Sequence, residues 1–337
     1  MLGEIDINSR RFLGNKYKLL PFIKKIATEN CKELNVVADM FAGTGVVSSA
    51  FQDKQVITND ILFSNYVCNL AWFSPIPYNS EKIRELLSFY NSADVYEQNY
   101  MTLNFSNTYF CESDCAKIGY IREDIEKRYQ GGKLNEREKA ILIASLLYGM
   151  DKIAKTCGHY DSFRKDVDFD AHLVLSYPHV YEDNNEKNIS FNMDSNKLAK
   201  KISADLVYLD PPYNSRQYCD AYHLLENVAR WNKPEVRGVA RKMDRANLKS
   251  DYCTQKAVEA FEDLIEHLSC KYIMLSYNNM AEKGCERSNA RIPDKDILRI
   301  LKKKGAVRVY SESYKPFTTG KSQIKDNEER VFFVTVE

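Results

Sequence analysis

A chain of 337 residues, 44% hydrophobic and 12% aromatic, can bury a sizeable core and carry one large domain with a smaller one beside it. Its net charge of +1 gives no whole-chain preference for nucleic acid, which a local basic face alone can supply. No apolar run approaches bilayer length, and the start Met-Leu-Gly-Glu-Ile-Asp lacks the basic-then-apolar order of a signal peptide, so a cytoplasmic protein without a membrane partner is expected.

In chain order, Val36 to Gly45 (Val-Val-Ala-Asp-Met-Phe-Ala-Gly-Thr-Gly) reads as a buried strand breaking into a glycine loop before a helical stretch from about Val46. Gly43 and Gly45 permit a tight turn and close approach of a ligand to backbone. The loop lacks the third glycine of a dinucleotide fingerprint and the Lys-Ser/Thr ending of a phosphate loop, which argues against both ligands. A second strand, Gln55 to Asn59, ends on Asp60, where an acid reaches ribose hydroxyls in a doubly wound sheet. Together the two segments suggest an adenosine-containing ligand, although Asp60 also suits the N-cap of a helix over 61–72.

From Ser74 the pattern changes. Helices are expected over 80–91 and 135–157, the second opening on an Asn135/Glu138 capping-box pair, while Thr102 to Gly132 reads as polar, aromatic loop. Residues of about 76–187 therefore form a helical, loop-rich insertion. Strand patterning resumes at 188–194, followed by a short helix from Ser195 and a strand at 205–209. The amphipathic helix 258–268, a strand over 272–278 and a hairpin pairing 307–310 with 330–336 complete the reading. The nine cysteines are scattered; Cys111 and Cys115 come near a zinc half-site that no second Cys or His pair completes, so free thiols and no metal are expected.

The strand at 205–209 stops on Asp210-Pro211-Pro212-Tyr213. Neither proline can donate a backbone hydrogen bond, so the strand must end there with the preceding residues held extended. Asp210 and the Pro211 carbonyl then stand as two acceptors beside the ring of Tyr213, an arrangement that suits a planar base with an exocyclic amine; a plain turn after a strand is the other reading. Such an amine is a poor nucleophile because its lone pair is delocalised, and acceptors that draw its hydrogens let the nitrogen become tetrahedral. A duplex hides the amine, so the nucleotide must rotate out, and Tyr213 offers a stacking face worth about 1–3 kcal/mol. No Pro-Cys pair occurs, which excludes a cysteine nucleophile of the kind used to methylate a pyrimidine carbon.

Phe41-Ala-Gly-Thr-Gly45 and Asp210-Pro-Pro-Tyr213, with Arg11-Phe-Leu-Gly-Asn-Lys-Tyr-Lys-Leu-Leu-Pro21 ahead of them, resemble the Dam-like adenine-specific DNA methyltransferases in both motif and order. The resemblance spans nearly the whole chain and implies S-adenosylmethionine as cofactor. It assigns Asp39, Phe41, Ala42, Gly43, Thr44 and Gly45 to the cofactor pocket, Asp60 to the ribose, Asp194 to the neighbourhood of the adenine and Lys16 to the amino-acid end, with Asp210 shared between cofactor and catalysis. Tyr222-His223 echoes a Tyr-His pair found after the family motif.

The fold class that follows is α/β: a doubly wound, mostly parallel, seven-stranded Rossmann-like methyltransferase sheet with a C-terminal hairpin. Residues 1–75 and 188–337 would form the catalytic domain and 76–187 the target-recognition domain. The implied activity is transfer of a methyl group to the N6 amine of a flipped adenine in duplex DNA, in a restriction-modification or epigenetic marking role, with a cognate restriction endonuclease as a candidate genetic partner. An RNA adenine methyltransferase and a non-catalytic DNA-binding module are the alternatives. Substrate-facing candidates are Tyr213, Arg216, Tyr222, His223 and Tyr277, with Arg241 and Lys242 in the basic stretch 233–249 for phosphates. Tyr277 serves equally well as the end of a strand. Arg122, Arg128, Lys133, Arg164 and Lys165 are the insertion's candidate base readers.

Overall fold

Strands with apolar residues on both faces make the centre of the molecule, because both faces are covered by helices. The computed structural model describes residues 2–10, 12–165, 171–181, 184–278, 290–313 and 328–337. Among them the strands are β1 (Glu4–Ile5), β2 (Val36–Asp39), β3 (Gln55–Asn59), β4 (Tyr177–Pro178), β5 (Ile189–Phe191), β6 (Ser203–Leu209), β7 (Ser269–Asn278), β8 (Gly305–Ser313) and β9 (Glu328–Val336). The helices are α1 (Leu20–Asn30), α2 (Phe63–Phe73), α3 (Ser80–Ser92), α4 (Tyr100–Phe105), α5 (Glu112–Gln130), α6 (Glu136–Ile153), α7 (Ser195–Ala199), α8 (Tyr218–Ala221), α9 (His223–Arg230), α10 (Ala257–His267) and α11 (Asp294–Leu301).

Seven strands form one sheet in the order β5-β3-β2-β6-β7-β9-β8. All pairings are parallel except those of β9, which runs antiparallel to β7 and β8. This is the expected doubly wound sheet with its C-terminal hairpin; the polar loop expected within that hairpin lies largely outside the described residues. Side chains alternate across the sheet. Leu206 and Tyr208 of β6 pack with Ile23 and Ile26 of α1 on one face. Val207 and Leu209 pack with Phe261 and Leu264 of α10 on the other.

A third cluster joins α2, α3, α4, α5, α6, α8 and α9, including Trp72, Leu87, Phe105, Ile121, Leu147 and Leu225. The described part of the insertion thus shares its core with the helix that follows β3 and the helices that follow β6.

Several local expectations are corrected. Thr102 to Gly132 is mostly helical: α4 starts in a capping box on Asn99, and α5 buries Cys115, Ile118, Ile121 and Ile125 at helical spacing. Its many charged residues on the other face obscured that stripe. After the glycine loop there is only a short 3-10 turn, Ser48–Phe51, in place of a helix from Val46. The helix over 135–157 stops at Ile153. Asp194 rather than Ser195 caps α7, its Oδ1 accepting from Lys197 N at 3.1 Å. Helix α2 begins at Phe63, with Asp60 outside it.

The N-terminus of α2 is held from another helix. The fully buried Glu226 of α9 accepts from Phe63 N at 2.9 Å and Ser64 N at 2.8 Å through its two oxygens, and Arg230 Nε lies 2.6 Å from Oε1. Removing this carboxylate orphans two buried N–H donors of the first turn and one guanidinium. Glu226→Ala should therefore cost about 2–4 kcal/mol in urea unfolding. Glu226→Gln, which retains an acceptor, should cost less. An Ala variant with an unchanged midpoint would dissolve the cap.

Candidate active site

In an open parallel sheet, the crevice for a ligand lies beyond the carboxyl ends of the strands, where the strand order reverses. Here the order runs outward from β2 to β3 and β5 on one side, and from β6 to β7 on the other, so the reversal lies between β2 and β6. Their register pairs Asp39 with Tyr208. A cleft opens above it. Acids end or closely follow four neighbouring strands: Asp39 closes β2, Asp60 follows β3, Asp194 follows β5 and Asp210 follows β6; all four line the cleft.

The glycine loop is fixed by many short bonds. Ala42 N donates to Asn59 O at 2.9 Å, Gly45 N to Ala42 O at 2.8 Å and Gly43 N to Asp60 Oδ2 at 2.9 Å. Asn69 Nδ2 donates to Gly43 O at 3.1 Å. Gly43 has φ of +53° and Gly45 of +86°. A Cβ on Gly43 would lie 3.0 Å from the Phe12 ring, and one on Gly45 would lie 2.5 Å from Asn69 Oδ1, so the cradle has room for neither.

Asp60 holds the loop and the turn into α2 together, because its Oδ1 also accepts from Leu62 N at 2.8 Å. Burial pushes its carboxyl up to about 6, against the pull of those backbone donors. Asp39 accepts from Ser48 Oγ at 2.9 Å, while its Oδ1 is buried without a hydrogen-bond partner. Burial, with Asp210 and Asp60 nearby, raises it to about 7. A buried carboxylate oxygen without a protein side-chain partner can be satisfied by a donor or a cation bound in the cleft.

Lys16 is the cationic side chain among the described lining residues. Its Nζ lies 2.9 Å from Asp210 Oδ2 and 3.3 Å from Glu329 Oε1, and donates to Gly14 O at 3.2 Å. Two buried carboxylates hold its proton affinity above the ordinary value despite its burial. Asp210 is raised to about 6, chiefly by burial, with Lys16 opposing the rise. The resemblance assigned Lys16 to the cofactor's amino-acid end; the structure places it against Asp210.

Phe41, Ala42, Gly43, Thr44 and Pro212 line the cleft. Pro211 is buried beside it, and Gly45 turns away beneath the loop against Asn69 and Phe73. Tyr213 is half-buried, with its ring edge-on to Tyr277 at 6.2 Å.

Six candidates for contact with base or DNA are corrected by burial or pairing. Tyr277 is 1% exposed and accepts from Ile292 N at 3.1 Å, so it braces Tyr213 from behind. Tyr222 is buried with its ring stacked on Phe12 at 4.8 Å. His223 is wholly buried, its Nε2 lies 2.8 Å from Tyr160 O, and burial lowers it to about 4, which leaves it uncharged near neutrality and unable to reach DNA. Arg122 is also buried, donating to Val228 O and Ala229 O. Lys242 is held by Asp161 at 2.8 Å and Arg128 by Asp124 at 2.5 Å. Arg216, Arg241, Lys133, Arg164 and Lys165 are exposed.

Phe12, Tyr218, Tyr252 and Glu329 escaped the sequence reading. Tyr218 Oη donates to Leu13 O at 3.1 Å and Tyr222 Oη accepts from Leu13 N at 2.8 Å, clamping the segment that carries Phe12 and Lys16 over the cleft. Tyr252 meets Phe41 edge-on at 5.2 Å. The density of tyrosines on 218–222 was the available signal. One further cluster, Cys111, Asp114 and His172, brings three potential ligand atoms within 4.8 Å, but Asp114 is already committed to Leu173 N and Cys111 Sγ and fastens the start of α5.

The raised carboxyls have a measurable consequence. Asp39, Asp60 and Asp210 all sit above the unfolded value near 4. Their contribution to stability is therefore full below that value and is lost as pH rises through about 6 to 7. A cation in the cleft offsets the loss. S-adenosylmethionine, with its positive sulfonium, should raise the melting temperature more at about pH 8 than at about pH 5.5, and the uncharged thioether of S-adenosylhomocysteine should show less of this dependence. Equal shifts at both pH values would mean the acids do not face the sulfur. Gly43→Val, which forces a branched side chain toward Phe12 at positive φ, should weaken that binding in calorimetry while the far-ultraviolet dichroism persists.

With this geometry in view, the known proteins that the chain matches become informative. It is 35% identical to the modification methylase StsI of Streptococcus sanguinis, over 96% of this chain and 51% of that protein. It is 31% identical to the type II methyltransferase M.FokI of Planomicrobium okeanokoites, over 96% of this chain and 52% of that one. Identity to the type II methyltransferase M.NlaIII of Neisseria lactamica is 33%, over 80% and 83% of the two chains. The chain thus spans about half the length of the first two relatives. The model of the D12 class N6 adenine-specific DNA methyltransferase family matches residues 12–286, from the Phe12 that covers the glycine loop to beyond β7. The chain belongs to that family.

Proposed function

We propose that this chain transfers the methyl group of S-adenosylmethionine to the N6 amine of an adenine rotated out of duplex DNA. The role we assign it is the modification activity of a cytoplasmic restriction-modification system, with a cognate restriction endonuclease as genetic partner. One observation carries the reading: Asp210 ends β6 at the reversal of strand order, in the same cleft as the glycine loop, with its charge held by Lys16 at 2.9 Å.

The residues present fit the cofactor through the unpaired Asp39 oxygen, the acidic lining and the cradle that a Cβ would fill. When bound, S-adenosylmethionine supplies a methyl group on a positively charged sulfur. Asp60 and the glycine loop would hold its nucleoside part, with Asp194 near the adenine and Asp39 toward the charged end. Asp210 and the Pro211 carbonyl would accept the two N6 hydrogens, and Tyr213, braced by Tyr277, would stack on the target base. Asp210 does so from a partly dehydrated position, where an acceptor acts more strongly than in water.

For the DNA surface, residues 1–75 and 188–337 are assigned to the catalytic part and 76–187 to target recognition. Exposed Arg216 and Arg241 are proposed to contact phosphates, and Lys133, Arg164 and Lys165 to read bases.

Asp210→Ala should abolish formation of N6-methyladenine in purified duplex DNA while calorimetric binding of S-adenosylmethionine persists. Methylation of RNA but not of duplex DNA by the parent chain would overturn the substrate assignment. Arg241→Ala should weaken cognate and random duplexes equally, reducing the log-log salt slope by about one. Arg164→Ala or Lys165→Ala should instead cut discrimination against a one-base-altered duplex by about 1–3 kcal/mol in competition binding. Equal weakening on both duplexes would make these two residues phosphate contacts.

A further inference from the structure

Glu329 has no part in the reading above, yet it is the second acid on the ammonium that faces Asp210. The Lys16, Asp210 and Glu329 side chains are 6%, 19% and 9% exposed. Lys16 Nζ donates to Gly14 O and lies 2.9 Å from Asp210 but 3.3 Å from Glu329 Oε1, which is buried and makes no aligned hydrogen bond. A buried carboxylate oxygen held only by a 3.3 Å ion pair, beside a cation engaged more closely elsewhere, is costly to keep. Its backbone is well fixed: β9 pairs Glu329 with Asn278 on one side and Glu312 on the other, and the next residue, Arg330, grips the Asp294 carboxylate at 2.5 and 2.8 Å and Asn278 O at 2.7 Å.

We propose that Glu329 is a positioning residue for methyl transfer: it is the alternate partner of Lys16, poised to receive the ammonium when Asp210 takes up a proton from the substrate amine. This rests on the assignment of Asp210 given under the proposed function. In the reaction, the N6 lone pair forms the new N–C bond while the S–C bond breaks and its electron pair stays on sulfur. The nitrogen, now positive, gives one hydrogen to the Asp210 carboxylate. Asp210 becomes neutral and no longer holds Lys16, whose ammonium turns to Glu329, less than half an ångström farther than Asp210 in the resting arrangement. The proton leaves Asp210 for water as product departs, and the first pairing returns. Without Glu329 the ammonium would lose its nearest remaining carboxylate just as Asp210 is neutralised, which opposes the proton transfer.

The negative charge of Glu329 also makes Asp210 a better base, in the same direction as burial and against Lys16. The other titratable groups facing this triad are Tyr208 of β6, Tyr213, Tyr218 of α8 and Asp39 of β2.

Glu329→Gln keeps the shape and removes the charge. With the full-length chain and duplex DNA, kcat should fall about tenfold while KM for cofactor and duplex stays within about twofold, as expected for a group acting on proton transfer. The acidic limb of the kcat profile should move to lower pH, because Asp210 loses a repelling neighbour and stays ionised further into acid. Glu329→Asp should recover part of kcat. A readout independent of turnover is the carboxyl carbon resonance of Asp210, assigned by its absence in Asp210→Asn; its titration midpoint should fall in the Gln variant. An unmoved midpoint with parent-like kcat overturns the proposal, and so does a uniform loss at every pH with a raised KM, which marks a structural role. Failure of the parent chain to form N6-methyladenine would instead overturn the function on which the proposal rests.

Discussion

Asp39, Asp60, Asp194 and Asp210 meet in one cleft, and Lys16 is the cation among the described residues that line it. Charge removed from water must be paired or neutralised. The protein does some of each: Asp39, Asp60 and Asp210 are all raised toward neutrality by burial, and Lys16 is shared between Asp210 and Glu329. What remains is an excess of negative charge that a cationic ligand relieves. In the proposed reaction a sulfonium would provide that charge before methyl transfer and lose it afterwards, so the same imbalance would favour both binding of the cofactor and release of its spent form.

This imbalance follows from topology. Parallel strands on either side of a reversal all point their carboxyl ends the same way, and an acid at or just after each of four such ends has nowhere else to converge. The remaining requirement is a lid. It comes from the N-terminal segment, whose described residues between Asp6 and Lys16 form no helix or strand and are held from outside: Leu13 by Tyr218 and Tyr222, and Arg10 by Asp151 at 2.6 Å across the Phe12 and Tyr222 rings. Tyr222, expected to face substrate, therefore serves the site indirectly together with Tyr218, by keeping Phe12 over Gly43 and Lys16 against Asp210.

The parts of the fold legible in the sequence are those governed by local chemistry. Buried strands were visible as apolar runs, Asp210-Pro-Pro-Tyr as an enforced strand end, and the Asn135/Glu138 pair as a cap that is present. Helix α5 was not visible, because its stripe of Cys115, Ile118, Ile121 and Ile125 is embedded among charged residues that pair at i, i+4, such as Arg122 with Glu126 and Arg128 with Asp124. Residues whose role depends on distant partners were equally hidden. Glu226 lies 163 residues from the helix start it caps, and Glu329 is brought to Lys16 only by the antiparallel insertion of β9 beside β7. His223 and Arg122 show the converse: residue types suited to nucleic acid, used here to satisfy backbone carbonyls inside the core.

The same internal fastening bears on how DNA would be held. Tyr109 Oη, within the insertion, lies 2.7 Å from Tyr160 O and 3.0 Å from Ala240 O and shares its one proton between them, while Lys242 reaches back to Asp161. The turn carrying Arg237 and Arg241, which follows Asp210-Pro-Pro-Tyr213 in sequence, is thereby bound to the insertion rather than to the sheet. Arg241 itself is held at a φ of +50°, a conformation that persists only where the surroundings impose it. If this turn contacts phosphates and the insertion reads bases, as proposed, these bonds tie the two surfaces together. The insertion shares its core with α2 and α9, the two helices that Glu226 links, so the cap that stabilises the fold lies where the insertion meets the helices that flank the cleft.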